Sequence, residues 1–150
     1  MTQYAVEKPV AGSGETLSPR RGVQGGGAPL ATAGIGLRPS ASAEAIAALV
    51  RRAETLSGLR VGRLAAPAFR RDLPALAEAA SALGVELVFL DHAALLAVQD
   101  RCPTRSEAAL RTTGIASVAE GCALAAGGAL VLPRITAEGV TCALSAGPNA

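Results

Sequence analysis

Thr32-Ala-Gly-Ile-Gly-Leu-Arg-Pro-Ser-Ala-Ser-Ala-Glu44 is the stretch from which the fold is read. A short apolar run, Pro29 to Ala33, leads into Gly34, Gly36 and Arg38. A serine pair follows at Ser40 and Ser42, and an amphipathic segment begins at Ala43. This order predicts a strand that stops, a glycine turn where backbone approaches a partner closely, and a helix whose first amide hydrogens point back into the turn. Such a turn suits an anion, because orphan N–H groups and the helix dipole both favour negative charge. Gly34, Gly36, Arg38, Ser40 and Ser42 are therefore candidate ligand-binding residues.

Downstream of this stretch the same logic repeats. Ile46, Leu49, Val50, Ala53 and Leu56 share one helical face over Ala43 to Ser57, with Ser42 as N-cap and Gly58 as the stop. A second strand is expected over Leu59 to Ala66. Asp72 is expected to cap a helix that carries Pro74 in its first turn, with Leu73, Leu76, Ala77, Ala80 and Leu83 on its apolar face and Gly84 at its end. Val85 to Leu90 is nearly continuous in apolar residues, as in a strand covered on both faces. Asp91 follows as the cap of a short helix holding Leu95, Leu96 and Val98. Two capping boxes, Thr104-x-x-Glu107 and Ser117-x-x-Glu120, open further helices. Ala129 to Leu132 and Val140 to Leu144 form the last strands, joined by a turn at Glu138-Gly139. The sequence thus predicts an α/β fold: a three-layer α/β/α domain over residues 29–146 with a mostly parallel mixed sheet of about five strands and a C-terminal antiparallel hairpin.

Residues 1–28 are rich in Gly, Pro and Arg and are expected to form a disordered tail, with 147–150 a flexible C-terminus. Half of the 150 residues are hydrophobic, enough for one sizeable core. Aromatic residues are limited to Tyr4, Phe69 and Phe89, and the formal net charge is only +2. General nucleic-acid binding is therefore not expected. Of fourteen basic residues only Lys8 is not arginine, and arginine suits two-point recognition of carboxylate or phosphate. No signal-peptide pattern opens the chain, and the apolar run Val118 to Leu132 is too short and too interrupted to span a bilayer. No membrane partner is expected, and the location expected is the cytoplasm.

Sequence chemistry excludes more than it names. Gly34-x-Gly36 falls short of a dinucleotide fingerprint, since Pro39 stands at the third glycine and Leu64-Ala65-Ala66 offers no acidic ribose partner. No GxxxxGK[ST] phosphate loop occurs. Cys102, Cys122 and Cys142 are widely spaced, so neither a zinc site nor a disulfide framework is signalled, and neither metal nor cofactor is expected. His92 has no evident nucleophile partner. Asp91, at the carboxyl end of a strand, is the best-placed carboxylate for a general base, with Glu44 the other candidate; N-capping and the helix dipole explain both equally well. Gly114-Ile-Ala-Ser117 is a second glycine turn opening a helix, which adds Gly114, Ser117 and Glu120 to the ligand-binding candidates. With Arg38, two such turns at one sheet edge would hold a multiply anionic ligand.

Three stretches, in order, resemble the CobE/CbiG C-terminal family of cobalamin biosynthesis: Gly34 to Glu44, Gly114 to Glu120, and Leu132-Pro-Arg-Ile-Thr-Ala-Glu-Gly-Val-Thr-Cys-Ala-Leu144. The middle segment Leu87 to Asp91 is similar too. The family pattern has Cys, Gly and Thr where Leu37, Ser40 and Ala41 stand, and Lys where Arg134 stands, so no role resting on that Cys or Thr transfers. Gly36, Arg38, Ser42, Glu44, Gly114, Ser117 and Glu120 do match. The chain resembles CbiG only in its C-terminal part, so the standalone CobE type is the nearer likeness. The resemblance implies a corrin or precorrin intermediate as ligand, whose acetate and propionate arms fit the anion-suited turns, in a carrier or accessory role beside other cobalamin biosynthetic enzymes. It implies, as the alternative, a CbiG-like hydrolase that opens a ring-A lactone of a cobalt-precorrin-5A and releases acetaldehyde.

Overall fold

A computed structural model describes residues 30–147. In chain order the elements are β1 (Leu30–Leu37), α1 (Ala43–Ser57), β2 (Arg60–Pro67), α2 (Pro74–Leu83), β3 (Glu86–Leu90), α3 (His92–Ala97), α4 (Glu107–Thr113), α5 (Val118–Ala125), β4 (Ala129–Ala137) and β5 (Val140–Ala146), with single 3-10 turns at Ala68–Arg70 and Gln99–Arg101. They form one five-stranded mixed sheet of order β3-β2-β1-β5-β4. β1, β2 and β3 run parallel, whereas β5 pairs antiparallel with both β1 and β4. The alternation of strands and helices expected from the sequence is thus present, closed by the hairpin. Its turn residues Glu138 and Gly139 both have positive φ (51° and 80°), the backbone hand that matches strand twist in a two-residue connection. The tail 1–28 lies outside the described residues, as do 148–150.

Two sheet faces of opposite character decide where the helices sit. On β1, Ala31, Ala33, Ile35 and Leu37 point to one face and join Ile46, Leu49 and Val50 of α1, Leu64 and Ala66 of β2, Leu76 of α2, and Val140, Cys142 and Leu144 of β5 in the main core. Each fully buried Leu, Ile or Val there contributes about 1.5–3 kcal/mol. The alternate positions on β1 are Thr32, Gly34 and Gly36, and Ala143 and Ser145 continue this small-residue face onto β5. Helix α5 lies directly on it, with Ala119 and Ala123 against Ala143. A Cβ built on Gly34 would stand 2.0 Å from the Ala119 carbonyl oxygen and 2.5 Å from the Ala123 amide nitrogen.

This contact corrects the sequence expectation at its starting point. Gly34 and Gly36 are interior residues of β1, where their missing side chains seat α5; neither is in a turn. The turn comes later, at Arg38-Pro39-Ser40-Ala41, where the Ala41 amide donates to the Arg38 carbonyl at 3.0 Å and proline occupies the second position.

Other expectations change for local reasons. Ser42 does cap α1, accepting from the Ala45 amide at 3.0 Å, and Gly58 ends it in the left-handed conformation. Leu56, however, is 54 % exposed, and the buried face of α1 ends at Ala53. Helix α2 begins at Pro74 with Leu73 as N-cap and no side-chain cap bond, so Asp72 does not cap it; Ala79 takes the buried place expected of Ala77. β3 is an edge strand with no fully buried residue, and the strands covered on both faces are the inner strands β1 and β5. The hairpin strands run longer than expected, to Ala137 and Ala146.

Candidate functional site

Parallel strands β1, β2 and β3 end at one edge, and most of the sequence-identified residues gather there. The β1–α1 loop carries Arg38, Ser40 and Ser42, all exposed. The Arg38 amide donates to the Gly139 carbonyl at 2.9 Å, which joins this loop to the β4–β5 turn. Over Gly36, Val118 brings the start of α5 to the same edge: a Cβ built on Gly36 would stand 3.5 Å from Val118 Cβ. Asp91 and His92 lie exposed at the end of β3. Gly114 ends α4 with φ 80°, and a Cβ built on it would approach His92 Cε1 at 3.3 Å.

Gly34, in contrast, is enclosed between α5 and the strands flanking β1, away from the edge. Glu120 also departs from its expected place. Its side chain is 0 % exposed and turns inward from the first turn of α5. Oε1 accepts from the Thr104 amide (2.9 Å) and the Ser117 hydroxyl (2.9 Å), and Oε2 from the Thr104 hydroxyl (2.8 Å) and the Arg134 amide (2.9 Å). Burial raises its pKa, but the bonds from Arg134, Thr104 and Ser117 outweigh burial and hold the carboxyl below the usual glutamate value.

Neither expected capping box forms. Ser106 caps α4, accepting from the Ala109 amide at 3.1 Å, while Thr104 is committed to Glu120. Ser117 spends its hydroxyl on Glu120, so no side chain caps α5. The first-turn amides of α5, at the positive end of its dipole, are left for an acceptor other than a capping side chain. Gln99 fixes this helix start: its Oε1 accepts from the Ser117 amide (2.9 Å) and its Nε2 donates to the Ser117 carbonyl (3.1 Å). The roles of Gln99 and the Arg134 backbone went unseen in the sequence, since a lone glutamine and a backbone amide carry no local signal. Thr104 had one, but it was consistent with a cap as well.

As for chemistry, Asp91 Oδ1 accepts from the Ala94 amide at 2.8 Å and thereby caps α3. Glu44 is exposed in the first turn of α1. All three cysteines are buried; desolvation pushes the thiols of Cys102 and Cys122 up and that of Cys142 up to about 12, which leaves them poor nucleophiles. Among the described residues no group of three His, Cys, Asp or Glu side chains could hold a metal ion, and no helix is long and apolar enough to cross a membrane. A shallow depression lined by Leu30, Thr32, Gly62, Arg63 and Glu86 lies at the opposite, amino-terminal edge. There the Arg63 guanidinium is committed to the Thr32 hydroxyl (3.2 Å) and the Ala126 carbonyl (3.2 Å) that ends α5.

The family model for the cobalamin synthesis G C-terminus matches residues 31–145. Among solved structures, CobE, a protein from the cobalamin (vitamin B12) biosynthetic pathway, is 34 % identical with a TM-score of 0.73, over 79 % of this chain and 90 % of that one. The cobalamin biosynthesis protein chiG from Agrobacterium tumefaciens is 40 % identical with a TM-score of 0.64, over 79 % of this chain and 98 % of that one. A cobalamin biosynthesis protein G homolog from Sulfolobus solfataricus shares the fold at 21 % identity and a TM-score of 0.55, and the match spans 36 % of its length. None of the curated proteins matches the chain in sequence.

Proposed function

From the premise that this chain belongs to the cobalamin synthesis G C-terminus family of cobalamin biosynthesis proteins, we propose that it binds a polycarboxylate corrin or precorrin intermediate at the carboxyl edge of β1–β3, as a carrier or accessory protein. The observation that carries this reading is the uncapped start of α5, whose Val118 lies over Gly36 at the edge of the sheet from which Arg38 leaves β1. Helix amides and a guanidinium both suit carboxylate arms. Arg38, Ser40 and Ser42 are the contacts on one side, and Gly114 with the first amides of α5 those on the other. Ser117 and Glu120 act as positioning residues, because their polar atoms are already bonded within the protein.

Titration of the protein with hydrogenobyrinic acid, a metal-free corrin polycarboxylate, tests this by absorption spectroscopy. A saturable spectral shift at micromolar protein is the expected result, and its absence sinks the reading.

A second reading, hydrolysis of the ring-A lactone of a cobalt-precorrin, is favoured by one feature. Asp91 stands exposed beside His92 at the same edge, with only Oδ1 engaged as a cap. In that reading Asp91, or Glu44, is the general base. Acetaldehyde released from the lactone intermediate distinguishes an enzyme from a carrier, and an Asp91→Asn protein of unchanged rate removes that residue from the mechanism.

A further inference from the structure

The loop that leaves β2 holds an aromatic ring that the core does not use. Ala68, Phe69 and Arg70 form a single 3-10 turn directly after Pro67, the last residue of β2. The Arg71 amide donates to the Ala68 carbonyl and the Leu73 amide to the Arg70 carbonyl, each at 3.0 Å, so two successive turns hold the loop. Phe69 is 44 % exposed and belongs to none of the apolar clusters. Phe89 differs: it packs against the main core, and the Arg71 guanidinium lies 5.0 Å from its ring centroid. The Arg70 guanidinium lies 5.3 Å from the Phe69 ring centroid.

Strand register brings this ring to the edge described above. Gly34 pairs with Ala65 and Pro67 with Leu90. Continued to the strand ends, this sets Leu37, Ala68 and Asp91 in one row, from which Arg38 opens a turn, Phe69 lies in the 3-10 turn and His92 begins α3. With parallel strands about 4.8 Å apart, the row is about 10 Å wide. An apolar face with cationic heads beside it matches a broad, flat macrocycle that carries carboxylates on its rim. A ring of this kind makes its best contacts by offset or edge-on stacking, and a guanidinium next to it supplies two-point recognition of a carboxylate.

We infer that the Ala68–Arg71 loop is part of the ligand site: the Phe69 ring is the platform for the apolar face of the bound macrocycle, and Arg70 pairs with one of its carboxylate arms. This rests on the proposed binding of a corrin polycarboxylate and extends that site from β1 across β2. The loop lies outside the three stretches by which the sequence resembles the family, so the assignment comes from strand register and exposure.

The 150-residue chain is titrated with hydrogenobyrinic acid, followed by absorption spectroscopy. Phe69→Ala is expected to weaken binding roughly five-fold and Phe69→Tyr to keep it near wild type, the difference expected for loss of one aromatic contact. Phe69→Leu retains apolar bulk without the ring and is also expected to weaken binding; it carries the result if the alanine variant does not fold. Arg70→Gln is expected to weaken binding by an amount that shrinks as salt is raised, while Arg52→Ala, on the exposed face of α1, leaves it unchanged. Wild-type binding matched by Phe69→Ala and Phe69→Leu would overturn the inference and leave the proposed function standing. If the wild type gives no shift, both fall together.

Discussion

Glu120 Oε2 and the backbone amide of Arg134 lie 2.9 Å apart, and this bond ties the first turn of α5 to β4. The other three bonds to the same carboxylate bring in Ser117 and the loop at Thr104. One buried negative charge thus joins three chain segments, and the uncapped start of α5 depends on it.

Glu120→Gln replaces one acceptor oxygen with an amino group. Hydroxyls can turn to accept from it, but the Thr104 and Arg134 amides cannot, so one backbone N–H is left without an acceptor in either orientation. The expected cost is about 2–3 kcal/mol, read from urea unfolding. A loss under about 0.5 kcal/mol, the size of a neutral surface change, would show that the carboxylate does not hold these segments.

The same group makes stability depend on acid. Its folded pKa lies below the ordinary value of 4.5, so on the acid side the unfolded chain binds more protons than the folded one. The stabilisation is therefore full above about pH 4.5 and is lost as pH falls through the lower folded value. The urea midpoint of the wild type is expected to drop more steeply below that pH than the midpoint of Glu120→Gln. Parallel profiles would contradict the assignment.

Glycine substitutions in β1 separate a backbone contact from a side-chain one. Gly34→Ala drives a methyl into the α5 backbone and is expected to cost about 3 kcal/mol, near the upper end for overpacking. Gly36→Ala meets the Thr141 hydroxyl at 2.5 Å, which a rotamer change relieves, and about 1 kcal/mol is expected. Thermal unfolding of the two variants checks the order; a reversed order would place α5 differently on the sheet.

Arg38→Ala separates binding from folding. The side chain is exposed, so stability is expected to stay within about 0.5 kcal/mol of wild type. Affinity for hydrogenobyrinic acid is expected to fall roughly ten-fold, the loss of one charge-assisted hydrogen bond. By comparison, Ser42→Ala removes the bond to the Ala45 amide and is expected to cost about 1 kcal/mol of stability. Unchanged affinity in Arg38→Ala would remove that residue from the site.

Features that depend on near neighbours along the chain are legible in the residues themselves. The α1 span with its Ser42 cap and Gly58 stop, the Glu138-Gly139 hairpin, and the alternation of strand and helix all follow from periodicity, capping and turn chemistry over a few residues. The order of its three motifs also carried the family resemblance, which the family match over residues 31–145 bears out. Tertiary structure alone decided what Gly34, Gly36, Thr104 and Glu120 do. A glycine that turns the chain and a glycine that admits a helix look alike in sequence, and only the approach of α5 to β1 tells them apart. A Ser-x-x-Glu pattern likewise specifies a cap when the helix start faces solvent. Here the Ser117 hydroxyl, the Thr104 amide and the Arg134 amide all donate to Glu120, so the carboxylate binds across the fold instead of closing a cap. The opening stretch is therefore two things in succession: a strand whose small residues seat a helix, and after Leu37 the loop that brings Arg38 to the edge of the sheet.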